Sequence, residues 1–220
     1  MIPAYNEENN IEKIVELTIS SLKEFDYEIV VVDDGSKDRT VEILKELMKK
    51  HHMIRMIQHK SNKGYADALR TGFNSSNGKY ITFIDADLQN HPADIPKLLK
   101  WVDRGYDIVI GWRKNRQDNL SRLVISRSWN SLCHLLFNIP FPDINGKPKL
   151  FKAEILKDIK IETKQWVIDL ELVHKALKKG YRGMQVPVKH SVRGDQESKA
   201  NLKKGLVSLI NLLEYRIRSL

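Results

Sequence analysis

Two carboxylates and a primary amide, Asp85, Asp87 and Gln89, stand at alternate positions just after the apolar run Tyr80-Ile81-Thr82-Phe83-Ile84. In an extended chain that spacing places all three oxygen-bearing side chains on one side. Hard oxygen ligands select Mg2+ or Mn2+, ions that keep positions open for substrate phosphates. The run follows the turn-forming Asn74-Ser75-Ser76-Asn77-Gly78 and reads as a buried strand, and open α/β sheets bind ligands at the carboxyl ends of such strands. A metal and a phosphorylated substrate suit that place. The plainer reading is that Asp85 and Asp87 only end a strand and begin a turn, where Asp is common.

Two further polar clusters belong to the same rim of strand ends. Met1-Ile2-Pro3-Ala4-Tyr5-Asn6-Glu7-Glu8 reads as a strand tail running into a loop, with Asn6 or Asn9 able to cap the next helix and the glutamates matched to its amino-terminal dipole. Val30-Val31-Val32 leads directly into Asp33-Asp34-Gly35-Ser36-Lys37-Asp38-Arg39-Thr40, paired aspartates between a strand and a Gly-containing turn. A carboxylate there can accept hydrogen bonds from a nucleobase or ribose, whereas Ser36 and Asp38 read as ordinary helix caps.

The elements that must position these clusters alternate. Short buried strands are expected over 28–32, 53–58, 79–84 and 107–110, and helices over 10–25, 40–50, 65–75 and 92–104. This is the order of an α/β fold whose mostly parallel sheet carries helices on both faces. After Gly111 the pattern changes to a helix over 120–137, a Pro/Gly-rich segment over 139–148, a helix over 168–179, a strand over 184–188 and a final helix from Leu202. The chain is expected to be a single domain over 1–220, with a nucleotide-binding half over 1–113 and an acceptor half over 114–220.

Composition narrows the function classes. At 220 residues and 41% hydrophobic content the chain can bury a full core, and Cys133 as its single cysteine excludes an internal disulfide and fits a reducing compartment. No apolar run reaches the roughly 18–20 residues that span a bilayer, so a cytoplasmic protein, peripheral on the cytoplasmic face of a membrane, is expected. Residues 1–146 carry 20 basic and 20 acidic side chains, and residues 147–220 carry 17 and 8, so the whole surplus of +9 lies in the last third. That points to a polyanionic partner near the carboxyl end, or to a solvated lysine-rich surface. Aromatic residues are not interleaved with the basic ones as a single-strand nucleic-acid surface requires, so no nucleic-acid partner is expected. The seven histidines show no zinc-type spacing, Gly64 and Gly72 suit close helix packing, and no Gly-Lys-Ser/Thr follows to make a phosphate loop.

Pro3-Ala4-Tyr5-Asn6-Glu7, Asp33-Asp34-Gly35-Ser36-x-Asp38-x-Thr40, Asn62-x-Gly64, Asp85-Ala86-Asp87-Leu88-Gln89 and Gly111-x-Arg113 occur in the order seen in family 2 glycosyltransferases of GT-A fold, and the chain resembles that family over nearly its whole length. Within it, Trp166-x-x-Asp169-x-Glu171-Leu172, Gly180-Tyr181, Val186-Pro187-Val188, Arg193 and Glu197-Ser198-Lys199 look most like the dolichol-phosphate and polyprenyl-phosphate mannosyl- and glucosyltransferases. The resemblance implies that Pro3, Tyr5, Glu7, Asp34, Asp85 and Ala86 bind the donor, and that Asp85, Asp87 and Gln89 hold Mg2+ or Mn2+. It implies that Arg113, Arg122, Arg193, Ser198 and Lys199 meet phosphates of donor or acceptor, and that Asp87, Arg113 and Asp169 serve the reaction. Guanidinium forks and lysine charges suit phosphate oxygens.

The chain departs from the family in three places: its abbreviated first strand, Trp112 between Gly111 and Arg113, and Asp143-x-Asn145-Gly146-Lys147-Pro148-Lys149 as a variant acceptor loop. The implied activity is inverting, metal-dependent transfer of a hexose from a GDP- or UDP-sugar to a polyprenyl (dolichyl-type) phosphate. A relative that glycosylates a glycan or polymer hydroxyl, and a non-catalytic basic protein that binds membranes or nucleic acid, are the alternatives. Asp169, among apolar residues at a helix start, is either a helix-end polar group or faces the reaction centre, and with an anionic acceptor it would orient the acceptor or a basic partner such as Arg193. In the final helix Leu202, Leu206, Leu209, Ile210, Leu213 and Ile217 recur at helical spacing beside Lys203, Lys204, Arg216 and Arg218, which predicts a membrane surface as partner or a packed face.

Overall fold

The computed structural model describes residues 1–114, 118, 120–164, 167–191 and 202–219. Strands β1 (Ile2–Ala4), β2 (Ile29–Asp33) and β3 (Ile54–Gln58) form a parallel ladder in the order β1-β2-β3. Strands β4 (Tyr80–Phe83), β5 (Ile108–Trp112), β6 (Lys149–Lys152) and β7 (Gly183–Pro187) form a second ladder in the order β4-β6-β5-β7. The two ladders abut where the Met1 backbone nitrogen donates to the Thr82 carbonyl (2.7 Å) and the Ile84 N–H donates to the Met1 carbonyl (3.2 Å). The resulting strand order is β3-β2-β1-β4-β6-β5-β7. It reverses direction between β1 and β4, the switch point at which open α/β sheets form a ligand crevice.

Alternation along the strands explains why helices cover both faces. In β2, Ile29 and Val31 pack with Ile14 and Val15 of α1 (Ile11–Leu22) and Leu44 of α2 (Thr40–Lys50), while Val30 and Val32 face Ala68 of α3 (Tyr65–Ser75). In β5, Val109 packs with Leu98 and Val102 of α4 (Ile95–Val102), whereas Ile108 and Ile110 enter the largest core. That core also holds residues of α5 (Leu120–Phe137), α6 (Ala153–Asp158), α7 (Val167–Lys178) and α8 (Leu202–Ser219).

Four stretches differ from expectation. The helix expected over 92–104 is a 3-10 turn at Pro92–Asp94 followed by α4, whose second residue is a proline. The stretch Lys149–Lys152 forms antiparallel β6 between β4 and β5, and α6 follows it directly. Neither β6 nor α6 was expected, because two lysines flank an apolar pair too short to show a period. Asp85, Asp87 and Gln89 do not continue the strand: β4 ends at Phe83, and Leu88 takes a left-handed conformation (φ 60°) within a turn. A leucine there costs about 1–2 kcal/mol, so surrounding contacts must hold it.

Candidate functional site

The polar clusters meet along the rim where β1, β2 and β4 end. On the β1–β3 side an open groove of about 590 Å³ is lined by Tyr5, Ser36, Lys37, Gln58, Lys60 and Asn62, among others. Gly35 lets its floor close, since its φ is +74° and a Cβ there would lie 2.6 Å from the Ser61 carbonyl carbon. The carboxylates expected to face a nucleoside are mostly engaged with the protein itself. Asp34 is buried, accepts the Lys63 N–H (2.9 Å) and Gly64 N–H (2.8 Å), and pairs with His59 Nδ1 at 2.7 Å. Asp33 accepts the Ser36 N–H, and Glu7 accepts from the Asn10 amide.

The capping expectation for α1 is corrected. Its N-cap is Asn10, without a side-chain cap bond, and Asn6 instead ties two loops together by accepting the Lys37 N–H and donating its own N–H to Ser36 Oγ. Asp38 does serve the start of α2, accepting the N–H and hydroxyl of Thr40. Pro3 lies in β1 opposite Val32, and Ala86 is buried behind the carboxylate loop.

At the end of β4, Asp85 and Asp87 are half-buried and Gln89 is buried. Tyr65 Oη donates to Asp85 Oδ1 (3.0 Å), and the Gln89 N–H donates to Asp87 Oδ1 (3.2 Å). The Gln89 amide nitrogen is buried without a hydrogen-bond partner, a cost that a native site carries for a reason. Burial first, and then the negative charge of Asp85, push the Tyr65 hydroxyl well above its usual range, so it stays a neutral donor.

Among the described residues no three His, Cys, Asp or Glu side chains gather tightly enough to enclose a metal. Two carboxylates and one amide oxygen would leave several positions to water and phosphate oxygens, which is the donor set that Mg2+ or Mn2+ takes beside a nucleotide. The residues present therefore fit such an ion.

Behind this loop lies a cluster that sequence reasoning missed in part. Lys147 Nζ donates to both oxygens of Asp169 (2.8 and 2.7 Å), and Lys149 Nζ donates to Asp169 Oδ1 (2.6 Å). All three side chains are at most 4% exposed. The Lys147 ammonium also lies over the rings of Tyr65 (5.7 Å) and Phe83 (4.9 Å). Burial alone would raise the Asp169 carboxyl, but the two lysines outweigh it and hold it low. Burial would likewise lower Lys147, yet Asp169 and then Asp85 keep it above the ordinary lysine range, while burial pushes Lys149 down to about 7.

Among the described residues Asp169 is thus held by two lysines, and Glu171, two residues on, turns the other way to accept the N–H groups of Glu162 and Thr163. Arg193, Ser198 and Lys199 lie outside the described residues, as does Trp166. The only signal for the lysine pair was their alternate spacing, and nothing local names a carboxylate 20 or more residues away.

On the far side of the crevice Arg113 forms a bidentate pair with Asp143 (Nε–Oδ2 2.8 Å, Nη2–Oδ1 2.7 Å). The loops that carry them touch closely: a Cβ on Gly146 would lie 1.8 Å from the Gly111 carbonyl oxygen. Burial would lower the Arg113 guanidinium, but Asp143 overrides it and fixes the charge. Arg122 pairs with Asp118 at 3.1 Å.

Residues 1–160 match the family described as Glycosyl transferase family 2. An undecaprenyl-phosphate 4-deoxy-4-formamido-L-arabinose transferase of Edwardsiella ictaluri is 32% identical over 97% of this chain and 64% of its own length. The corresponding protein of Photorhabdus laumondii is 40% identical over 60% of this chain and 42% of its own. The chain therefore spans less than two thirds of these curated relatives. Glucosyl-3-phosphoglycerate synthase of Mycobacterium tuberculosis, solved with Mn2+, UDP and phosphoglyceric acid, superposes with a TM-score of 0.76 at 18% identity, over 98% of this chain and 76% of that one. The same enzyme solved with Mg2+ and UDP gives a TM-score of 0.72 at 19% identity, over 97% of this chain and 76% of that one. These superpositions establish the GT-A fold.

Proposed function

Since the chain belongs to glycosyltransferase family 2, we propose that it transfers a sugar, with inversion, from a nucleoside diphosphate donor to a polyprenyl phosphate. The observation that carries this reading is the Asp85, Asp87 and Gln89 set at the sheet's switch point, between the Tyr5 groove and the Arg113–Asp143 pair. UDP in the superposed structures supports uridine over guanosine, and the lipid phosphate named for the sequence relatives supports the acceptor. Their sugar is an arabinose derivative, so a hexose donor and a pentose donor are both to be tested.

In this reading Tyr5, with Pro3, Glu7 and Asp34 shaping the loops around it, receives the nucleoside, while Asp85, Asp87 and Gln89 hold Mg2+ or Mn2+. The bound ion would neutralise charge on the departing diphosphate. The acceptor phosphate is already anionic and needs no proton removed, which suits an Asp169 whose carboxylate is fully engaged by lysines. Arg113 and Arg122, with Arg193, Ser198 and Lys199 from the carboxyl-terminal stretch, would bind phosphate oxygens.

The membrane surface is part of the proposal. Among the described residues no helix is long and apolar enough to cross a bilayer. On α8, Leu212 and Tyr215 take the packed side, leaving Ile210, Leu213 and Ile217 exposed beside Arg216 and Arg218, and on α5 Leu120, Val124, Ile125 and Leu135 are exposed as well. Reversible binding to anionic vesicles, weakened by salt, is expected.

The test is a panel of UDP- and GDP-sugars with Mg2+ or Mn2+ and a short polyprenyl phosphate, scored for a charged glycolipid. Transfer to a glycan hydroxyl and not to the lipid phosphate would replace the acceptor assignment. Absence of metal-dependent nucleotide binding would replace the reading altogether.

A further inference from the structure

Lys147 and Lys149 place two lysine head groups against one carboxylate inside the core, and Asp85, the carboxylate expected to hold the metal, acts on the charge of Lys147 next after Asp169. The path is short. Lys147 lies over the Tyr65 ring, and the Tyr65 hydroxyl donates to Asp85 Oδ1. Phe83, two residues before Asp85, has both lysine heads over its ring at 4.9 and 5.6 Å. Buried charges are screened weakly, so an ammonium here lowers the affinity of Asp85 for any cation.

Resting on the donor-site reading above, we propose that the Lys147–Asp169–Lys149 triad makes divalent-cation binding at Asp85 conditional on the anionic donor. Without a nucleotide, Lys147 supplies positive charge to Asp85 and disfavours a bare ion. A bound diphosphate brings enough negative charge for ion and ammonium to coexist. Asp169 is then a positioning residue: it fixes the lysine heads and does not touch the reacting atoms. Tyr65, between them, holds Asp85 Oδ1 in place.

The experiment is Mn2+ titration followed by electron paramagnetic resonance, with and without saturating UDP, on the wild-type chain and on Lys147→Met and Lys149→Met, with thermal melts in parallel. In the wild type, UDP is expected to tighten Mn2+ binding strongly. Lys147→Met should bind bare Mn2+ roughly five- to tenfold more tightly than wild type, by removal of one nearby buried charge, and should show correspondingly less enhancement by UDP. Lys149→Met should move the same way by less. Structural damage weakens metal binding, so the tightening is a readout that a merely structural role does not produce.

A folded Lys147→Met with unchanged or weaker bare-ion affinity overturns the proposal. If that variant does not fold, an unchanged affinity in Lys149→Met overturns it. Wild-type Mn2+ binding that is equally tight with and without UDP overturns it without any variant. Wild type that binds neither UDP nor Mn2+ removes the donor-site reading, and the proposal with it.

Discussion

Carboxylates do different work in the two ladders. Around β1–β3, Asp33, Asp34, Asp38 and Glu7 accept backbone and side-chain hydrogen bonds from the loops beside them and so build a groove. Around β4–β7, Asp85, Asp143 and Asp169 face Tyr65, Arg113 and a lysine pair, across elements distant in sequence. The first arrangement shapes a binding surface and the second sets charge where charge is expected to move. In the proposed reading the loop-building carboxylates lie near the nucleoside, which needs shape, and the cation-paired ones near phosphate, which needs a tuned field.

The largest effect expected from breaking this contrast is at Asp169. Asp169→Asn leaves the buried Lys147 ammonium and the Lys149 head group without their carboxylate and should lower unfolding stability by about 3–5 kcal/mol, measured by urea titration. Turnover of the folded fraction should fall less than about tenfold, because a phosphate acceptor needs no general base. A larger fall in turnover with stability intact would put Asp169 in the chemistry and favour a hydroxyl acceptor.

Asp87→Asn should do the reverse, keeping the thermal midpoint while lowering turnover by about 10²- to 10³-fold at saturating donor and metal. An unchanged rate would take Asp87 out of the mechanism. For Asp34→Asn the cost is expected in the groove. It should amount to about 1–3 kcal/mol of stability from hydrogen bonds lost at Lys63, Gly64 and His59, with weaker UDP binding by calorimetry. UDP affinity at the wild-type value would separate that loop from the donor site.

The gentlest signature is a slope, spread over several pH units. Lys149 is depressed to about 7 in the folded protein and has its ordinary value near 10.5 when unfolded. The unfolded chain therefore binds more protons between those values, so this residue makes stability rise with pH from about 7 to 10.5 and leaves it level below. Thermal melts of Lys149→Met across that window should show a flatter pH dependence than wild type. Parallel curves would mean that Lys149 stays charged throughout.

Most of the frame was legible because helix and strand periods are local. The expected bounds of α2, α3 and α5 coincide with the observed ones, and the rim clusters at Tyr5, Asp34 and Asp85 lie at the ends of β1, β2 and β4. What local pattern could not show is pairing. β6 is four residues long, and its place between β4 and β5 comes from ladder hydrogen bonds with both. The extended geometry expected for Asp85 to Gln89 fails at Leu88, since chain direction there answers to the surrounding loops.

Residue types and spacing alone determined the alternating α/β order, the oxygen-rich loop after Phe83 and the basic last third of the chain. Only the tertiary structure decided that Lys147 and Lys149 are buried, that Asp169 is their partner and that Arg113 belongs with Asp143. A lysine in a sequence reads as solvated surface. Its burial becomes tolerable only when folding brings a carboxylate from another element within hydrogen-bonding distance, and that distance is a property of the packed chain.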